Sequence, residues 1–228
     1  MADDAAAAAA CEALGPADAG PVYALHLAAI ADIADRTAVK PEEPAFFEGL
    51  LAGRGTILGV REAGRLIAYG VLQHDLAAGD DPRDLLGLAA DARVAKLAGV
   101  GVAPDRRGHG LQRRLTRARV ALAAEQGFGH LFATAAPANP VSWGNLMSEG
   151  FAIGALVVKY GGLRRFLLHR RPEPRPPARQ WIAADDLAGV AAALSDGLAG
   201  VAFCRRPGAV RFARDIGFAP REAGEAGP

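Results

Sequence analysis

Thiols, long apolar runs and an excess of one charge are all scarce in this 228-residue sequence. The two cysteines, Cys11 and Cys204, do not make a disulfide framework, and no Cys/His cluster has metal-ligand spacing. No segment approaches the ~18 consecutive apolar residues that a membrane span requires. The formal net charge of +1 gives no overall field that favours nucleic acid or an anionic membrane. We therefore expect no metal site, no nucleic-acid partner and no membrane partner.

The N-terminus also lacks the basic residues that open a secretory signal. Asp3 and Asp4 precede a run of alanines that is only weakly apolar. This pattern predicts a flexible tail over residues 1–19 and a cytoplasmic protein.

Apolar residues are abundant, at 51% of the sequence, which is enough for a substantial core. The length suits one large domain or one domain with an appendage. We place the domain at residues 20–171, a proline-rich linker at 172–177 and an appendage at 178–228. Four apolar positions in the appendage recur at helical spacing, so they pack either on the domain or on a second copy in a homodimer. These positions are Leu187, Val190, Ala191 and Leu194.

The apolar periodicity predicts an α/β chain with an antiparallel start and one parallel crossover. Predicted helices cover residues 21–36, 41–51, 111–126, 139–149 and 183–194, and predicted strands cover 56–60, 65–72, 94–102, 130–135, 152–160 and 164–169, with one more near Val201. Residues 77–91 are rich in Asp and Gly and predict a surface loop.

The most informative segment joins the strand at 94–102 to the helix that begins at Leu111. Gly108 and Gly110 allow a left-handed backbone and a close approach to a phosphate. The first turn of the helix offers unpaired N–H donors, and Arg106 and Arg107 add cationic donors nearby. The loop lacks the Gly-Lys-Ser/Thr of a Walker motif and the three glycines of a dinucleotide fingerprint. Alone, it predicts either an anion site or a plain turn before a helix.

Two motifs in the right order resemble those of the GNAT acetyltransferase superfamily. Arg107 and Gly110 match its pyrophosphate motif, Arg/Gln-x-x-Gly-x-Gly/Ala, although Gln112 stands where Gly or Ala is usual. The strand before the loop ends in Val-Ala-Pro, like the fourth strand of the family. Downstream, Asn139 and Ser142, followed by Gly-Phe at 150–151, resemble the second signature. The resemblance covers roughly residues 20–170.

The resemblance implies a mixed, mostly antiparallel central sheet with helices on both faces and acetyl-CoA as the cofactor. The main chain of the fourth strand is then expected to pair with pantetheine, and the loop N–H groups to hold the pyrophosphate. Asn139 would bond pantetheine or the gap between strands, and Ser142 either does the same or caps its helix. The implied cofactor contacts are Val100, Gly101, Val102, Arg107, Gly108, His109, Gly110, Leu111, Gln112, Asn139 and Ser142.

The residues that usually transfer protons in this family are missing. The tyrosine register in the helix before Gly150 falls on Leu146, and residues 98–101 of the fourth strand include no glutamate. Tyr160, at the tip of the last hairpin, is the candidate general acid, with packing on the sheet as the alternative. His74, Asp75, His109, Glu149 and Trp143 are weaker candidates, and water is a further one.

The predicted function is N-acetyltransfer from acetyl-CoA to a primary amine of a small molecule or peptide. A GNAT-like module that binds acyl-CoA and has lost catalysis is an alternative, as is an unrelated nucleotide-binding domain. Acidic residues of the 77–91 loop either attract a cationic amine or are ordinary solvated loop residues. They are Asp80, Asp81, Asp84 and Asp91.

Overall fold

The computed structural model describes residues 10–170, 180–204 and 208–214, which divide into two compact units. The first unit joins the chain up to Ala77 with Val94–Leu131. The second joins Ala78–Arg93 with the chain from Phe132 onward. The predicted linker at 172–177 lies outside the described residues.

The first unit holds a four-stranded antiparallel arrangement in the order β1-β2-β3-β4. Its elements are β1 (Glu12–Ala13), α1 (Ala19–Ile30), α2 (Pro44–Gly49), β2 (Gly55–Glu62), β3 (Arg65–Gln73), β4 (Val94–Val102) and α3 (Leu111–Glu125). β2 and β3 form the predicted hairpin, and β4 has the predicted bounds. No helix among the described residues has the length and apolar character needed to cross a bilayer.

Helices cover both faces of these strands, as predicted. On one face, Val22 and Leu25 of α1 and Phe47 of α2 pack with Tyr69 and Val71 of β3. On the other face, Leu111 and Leu115 of α3 pack with Val60, Ile67 and Ala68, and the side chains of Val100 and Val102 join this second cluster. Along β4, the side chain of Ala98 faces the cluster of α1 and α2, whereas Val100 and Val102 face the cluster of α3.

The strands of the second unit run in the order β5-β7-β6-β9-β10-β8. Its elements are β5 (His130–Ala135, of which the last four residues belong to this unit), α4 (Pro140–Ser148), β6 (Ala152–Lys159), β7 (Leu163–Arg170), β8 (Gln180–Ala183), α5 (Leu187–Ser195), β9 (Leu198–Cys204) and β10 (Ala209–Arg214). β9 pairs antiparallel with β6 and with β10, and β10 pairs with β8. The chain is thus mixed α/β with mostly antiparallel strands, which confirms the predicted fold class.

Several boundaries differ from the sequence prediction: α1 ends at Ile30 and not at residue 36, α2 spans Pro44–Gly49 and not 41–51, and the N-terminal tail and α5 differ as well. Glu12 and Ala13 pair with β2, and Arg61 forms ion pairs with Glu12 and Asp18, so residues 12–18 are not a flexible tail. Residues 1–9 of that predicted tail lie outside the described residues. The helix predicted from residue 183 begins only at Leu187, because the Asp186 side chain accepts from the N–H of Gly189 at 2.9 Å and caps it.

The C-terminal segment contacts α4 within the second unit. The Phe203 ring of β9 lies 5.8 Å from the Trp143 ring, at 84°. A Cβ on Gly144 would lie 2.8 Å from Cε2 of Phe203. Gly144 therefore allows β9 to approach the middle of α4.

This approach predicts opposite effects for one substitution in two backgrounds. Gly144→Ala should destabilise the wild-type protein, because the new methyl group overlaps the Phe203 ring. In a Phe203→Ala background the same change should stabilise, by up to ~1 kcal/mol, because alanine is the better helix former. Urea unfolding of the four proteins measures both effects. Equal effects in the two backgrounds would show that Phe203 does not constrain position 144.

Candidate functional site

The loop between β4 and α3 presents open backbone to solvent. Gly108 and Gly110 have φ of 86° and 73°, and a Cβ at either would meet no atom within 4 Å. Gly110 is the N-cap of α3 and offers no side-chain cap. The N–H of Arg114 makes a 3.0 Å bond to the Gly110 carbonyl, so the N–H groups before it have no intrahelical acceptor. Loop and helix start together form a surface suited to an anion.

The two arginines expected beside this surface bind carboxylates. Arg107 donates to Asp32 at 2.6 Å and to the Ala29 carbonyl at 2.9 Å, and this contact lowers the pKa of Asp32. Arg106 donates to Glu62 at 2.6 Å. Both guanidinium groups therefore hold the loop to its neighbours. Arg113 and Arg114, to which the sequence analysis gave no role, occupy the first turn of α3.

β4 carries an extra residue near its middle. Gly70 pairs with Val100 and Leu72 pairs with Leu97, so Ala98 and Gly99 both lie opposite Val71. Such a bulge breaks the regular ladder and changes the direction of backbone groups locally.

The face of β4 that looks toward α1 is covered by Tyr69. A Cβ on Gly101 would lie 2.4 Å from Cε1 of Tyr69, so only glycine allows the ring to lie there. A Cβ on Gly99 would lie 3.7 Å from the Tyr69 hydroxyl oxygen and within 4 Å of no other residue. The hydroxyl thus lies next to the bulge.

A buried histidine binds this hydroxyl. His26 Nδ1 lies 2.9 Å from Tyr69 Oη, and His26 Nε2 accepts from the N–H of Glu42 at 3.0 Å. Phe47 contacts both rings, at 5.3 Å from His26 and 5.7 Å from Tyr69. Burial lowers the pKa of His26, with a smaller effect from Lys40, and burial raises the pKa of Tyr69.

In the second unit, Asn139 and Ser142 lie at the start of α4. The Asn139 side chain accepts from the N–H of Ser142 at 3.0 Å and is the N-cap of the helix, so the capping role belongs to Asn139. Trp143 is fully buried and donates to the Pro137 carbonyl at 3.1 Å, which makes it a core residue. Leu146 is also buried.

Tyr160 lies at the tip of the β6–β7 hairpin with φ of 53°, which is unusual for a residue other than glycine. Its hydroxyl lies 3.2 Å from Oγ1 of Thr134 on β5. Lys159, beside it, binds Asp80 at 3.1 Å. The hairpin tip therefore leans over β5, and the 78–80 turn is attached to it.

The comparisons with known proteins decide the family. The profile of the acetyltransferase (GNAT) family matches residues 27–151, which is more than half of the chain. The chain belongs to the GNAT acetyltransferase family. No curated protein matches its sequence significantly.

Solved GNAT structures share the fold at low identity. A phosphinothricin acetyltransferase from Sinorhizobium meliloti in complex with acetyl-CoA has a TM-score of 0.53 at 17% identity, over 74% of this chain and 93% of its own. A ribosomal-protein-alanine N-acetyltransferase from Brucella melitensis has 0.53 at 18%, over 71% and 99%. An N-acetyltransferase from Staphylococcus aureus has 0.53 at 16%, over 71% and 95%.

Within this GNAT chain, the predicted contacts Val100–Val102 lie on β4, and Arg107–Gln112 lie in the following loop and at the start of α3, all in the first unit. Asn139, Ser142 and Tyr160 lie in the second unit. The sequence analysis missed Tyr69 and His26, which are 43 residues apart. Two glycines spaced by one residue in β4 were the available signal, because they mark a close approach by another group.

The lowered pKa of His26 predicts a stability loss in mild acid. The unfolded chain binds a proton at His26 below about pH 6.5, whereas the folded chain resists it, so the free energy of unfolding should fall as the pH drops below that value. The slope from this one group is at most about 1.4 kcal/mol per pH unit. His26→Gln should remove this component in urea unfolding curves measured between about pH 5 and 7.5. Identical slopes in the two proteins would contradict a neutral buried imidazole.

Proposed function

We propose that this chain transfers the acetyl group of acetyl-CoA to a primary amine of a small molecule or peptide. The observation that carries the proposal is the open loop of Gly108 and Gly110, which leads from a bulged strand into an uncapped helix N-terminus. Because the chain belongs to an acetyltransferase family, we propose that the anion bound by this loop is the pyrophosphate of a CoA ester. Bound acetyl-CoA supplies an activated acyl group.

Backbone groups of the protein would make most of the contacts to acetyl-CoA. N–H groups of Arg107–Gln112 would hold the pyrophosphate, with His109 and Leu111 as part of that run. The absence of any atom within 4 Å of a Cβ at Gly108 or Gly110 supports this, because a phosphate could approach both. The backbone of Val100, Gly101 and Val102 would pair with pantetheine, as a neighbouring strand pairs.

Two residues of α4 are proposed as further contacts. Asn139 uses its side-chain oxygen to cap the helix, and its amide nitrogen remains a donor for pantetheine. Ser142 carries a hydroxyl in the same first turn.

Proton transfer is assigned to Tyr160. A phenol is protonated at neutral pH, as a general acid must be, and it could give its proton to the departing CoA thiolate. The contact of its hydroxyl with Thr134 and the guanidinium of Arg165 5.8 Å from its ring hold the side chain in place.

The acceptor site is proposed to include the 77–91 loop. Asp80 binds Lys159 and Asp81 binds Arg83, so these two carboxylates are already neutralised. The missing glutamate on β4 and the buried Leu146 support a second candidate, a module that binds acyl-CoA without turning it over. Release of CoA over a panel of amines separates the two.

The domain assignment is likewise a proposal. Residues 20–171 would be the catalytic domain, and the appendage from 178 would stabilise it through β9 and Phe203 or pair with a second copy.

Acetyl-CoA should bind with micromolar-class affinity, ~8 kcal/mol, and NAD should not bind.

Gly110→Asp should lower the affinity for acetyl-CoA at least tenfold, because it places a carboxylate beside the pyrophosphate. Gly110→Asn is the matched control: it has nearly the same shape and tolerates the same left-handed backbone without the charge. Calorimetry on the three proteins measures this. No binding by the wild type would contradict the proposal, and equal affinities of the Asp and Asn variants would place the pyrophosphate elsewhere.

Tyr160→Phe should lower turnover by ~10²-fold or more, because the hydroxyl that protonates the thiolate is lost. Acetyl-CoA affinity should stay nearly unchanged, since the ring remains. Steady-state kinetics on any amine found to be a substrate, together with calorimetry, tests this. Turnover within about threefold of the wild type would exclude Tyr160 and leave water as the acid.

A further inference from the structure

The Tyr69 hydroxyl is buried, is bound by His26, and lies next to the bulge of β4. The proposed function places the acyl end of acetyl-CoA along the same strand. Glu42 donates its N–H to Nε2 of His26, so this nitrogen has no proton. A neutral imidazole then carries its proton on Nδ1 and donates it to Tyr69 Oη at 2.9 Å. Tyr69 Oη is therefore an acceptor in this bond, and its own proton is directed to another group.

The described residues provide no second partner for that proton. Tyr69 is only 1% exposed, and around it lie the Phe47 ring, the glycines of β4 and the aliphatic side chains of its cluster, none of which accepts a hydrogen bond through its side chain. The hydroxyl oxygen lies 3.7 Å from the Cβ position at Gly99, closer than the Tyr69 ring carbon at 3.9 Å, and Gly99 lies in the bulge of β4. The hydroxyl and the irregular stretch of β4 thus lie next to each other on the face that looks toward α1.

We infer that Tyr69 is a catalytic residue, which donates a hydrogen bond to the thioester carbonyl oxygen during acetyl transfer, and that His26 is its positioning residue. This inference rests on the proposed function, in which the acyl end of the donor lies along β4. Two donors, a β4 backbone N–H and the Tyr69 hydroxyl, would then hold the same oxygen.

The electrons balance without any further reactant. The amine lone pair adds to the carbonyl carbon, and the carbonyl π pair moves to the oxygen that Tyr69 holds. That pair returns to carbon as the C–S bond breaks, and sulfur leaves with the bonding pair and takes a proton. The nitrogen loses its proton to water. Tyr69 keeps its own proton throughout, because it donates only a hydrogen bond.

The surroundings suit a donor rather than an acid. Burial raises the pKa of Tyr69, so the phenol stays protonated at neutral pH. The bond from His26 polarises the hydroxyl and strengthens it as a donor. Contacts with Phe47 and with the backbone of Gly101 restrict the ring, so the hydroxyl does not reorganise when charge develops.

The test is Tyr69→Phe, with Tyr23→Phe as the matched control. Tyr23 belongs to the same aromatic cluster, at 6.3 Å from Phe47, and has no part in the proposed site. Tyr69→Phe should lower kcat by ~10²- to 10³-fold, the usual effect of removing one oxyanion donor. KM for the amine and acetyl-CoA affinity by calorimetry should change less than about threefold, and Tyr23→Phe should leave all of these values unchanged.

His26 is tested by two variants. His26→Leu removes the bond to Tyr69 and should lower kcat while KM stays similar, whereas His26→Gln keeps a donor and should restore part of the loss. A purely structural role would affect both variants through unfolding, which thermal denaturation detects.

Distinct outcomes separate this inference from the function on which it rests. A wild-type protein that does not bind acetyl-CoA, or binds it and acetylates no amine, would overturn both. An active enzyme whose Tyr69→Phe variant binds acetyl-CoA and keeps kcat within about threefold of the wild type would overturn the role of Tyr69 alone.

Discussion

The close approach of the Tyr69 ring to the backbone of Gly101 is the contact on which the arrangement of the first unit depends. A Cβ at position 101 would lie 2.4 Å from the ring. The Tyr69 ring of β3 can therefore lie against β4 only if position 101 is glycine. This contact places the hydroxyl beside the β4 bulge and brings His26 of α1 against β3. β4, which carries the bulge, continues directly into the loop that contains Gly108 and Gly110. The position of β4 therefore sets the positions of both the bulge and the loop.

Polar contacts then hold helices to β4 and its loop from both sides. On the α1 side, Arg107 binds the Ala29 carbonyl in the last turn of the helix and the Asp32 carboxylate just beyond its end. On the α3 side, Arg119 is almost fully buried and donates to the Val71 carbonyl at 3.1 Å. Burial lowers the pKa of Arg119 to about 10, which leaves it charged at neutral pH. A buried cation without its acceptors would be costly, so the position of α3, and with it the loop, is closely defined.

Much of the fold could be predicted from the sequence, because many of its signals are local. The bounds of β4 and of β5 and the start of α3 were predicted correctly. Pro104 interrupts the apolar pattern after β4, Gly108 and Gly110 precede α3, and Gly127 and Gly129 precede β5. β1, β8 and β10 were missed. β1 and β8 have only two and four residues, and both pair with strands distant in the chain, which no local pattern encodes. β10 pairs with the preceding strand β9 and with the distant β8.

The sequence by itself determined the family and the loop that leads into α3, because a strand, two glycines and a helix start are consecutive in the chain. Only the tertiary structure decided that Arg106 and Arg107 bind carboxylates, since those partners come from other elements. It also decided the pairing of Tyr69 with His26 and the glycine requirement at 101. Such contacts depend on strand register, and one extra residue in β4 changes which side chains meet across the sheet.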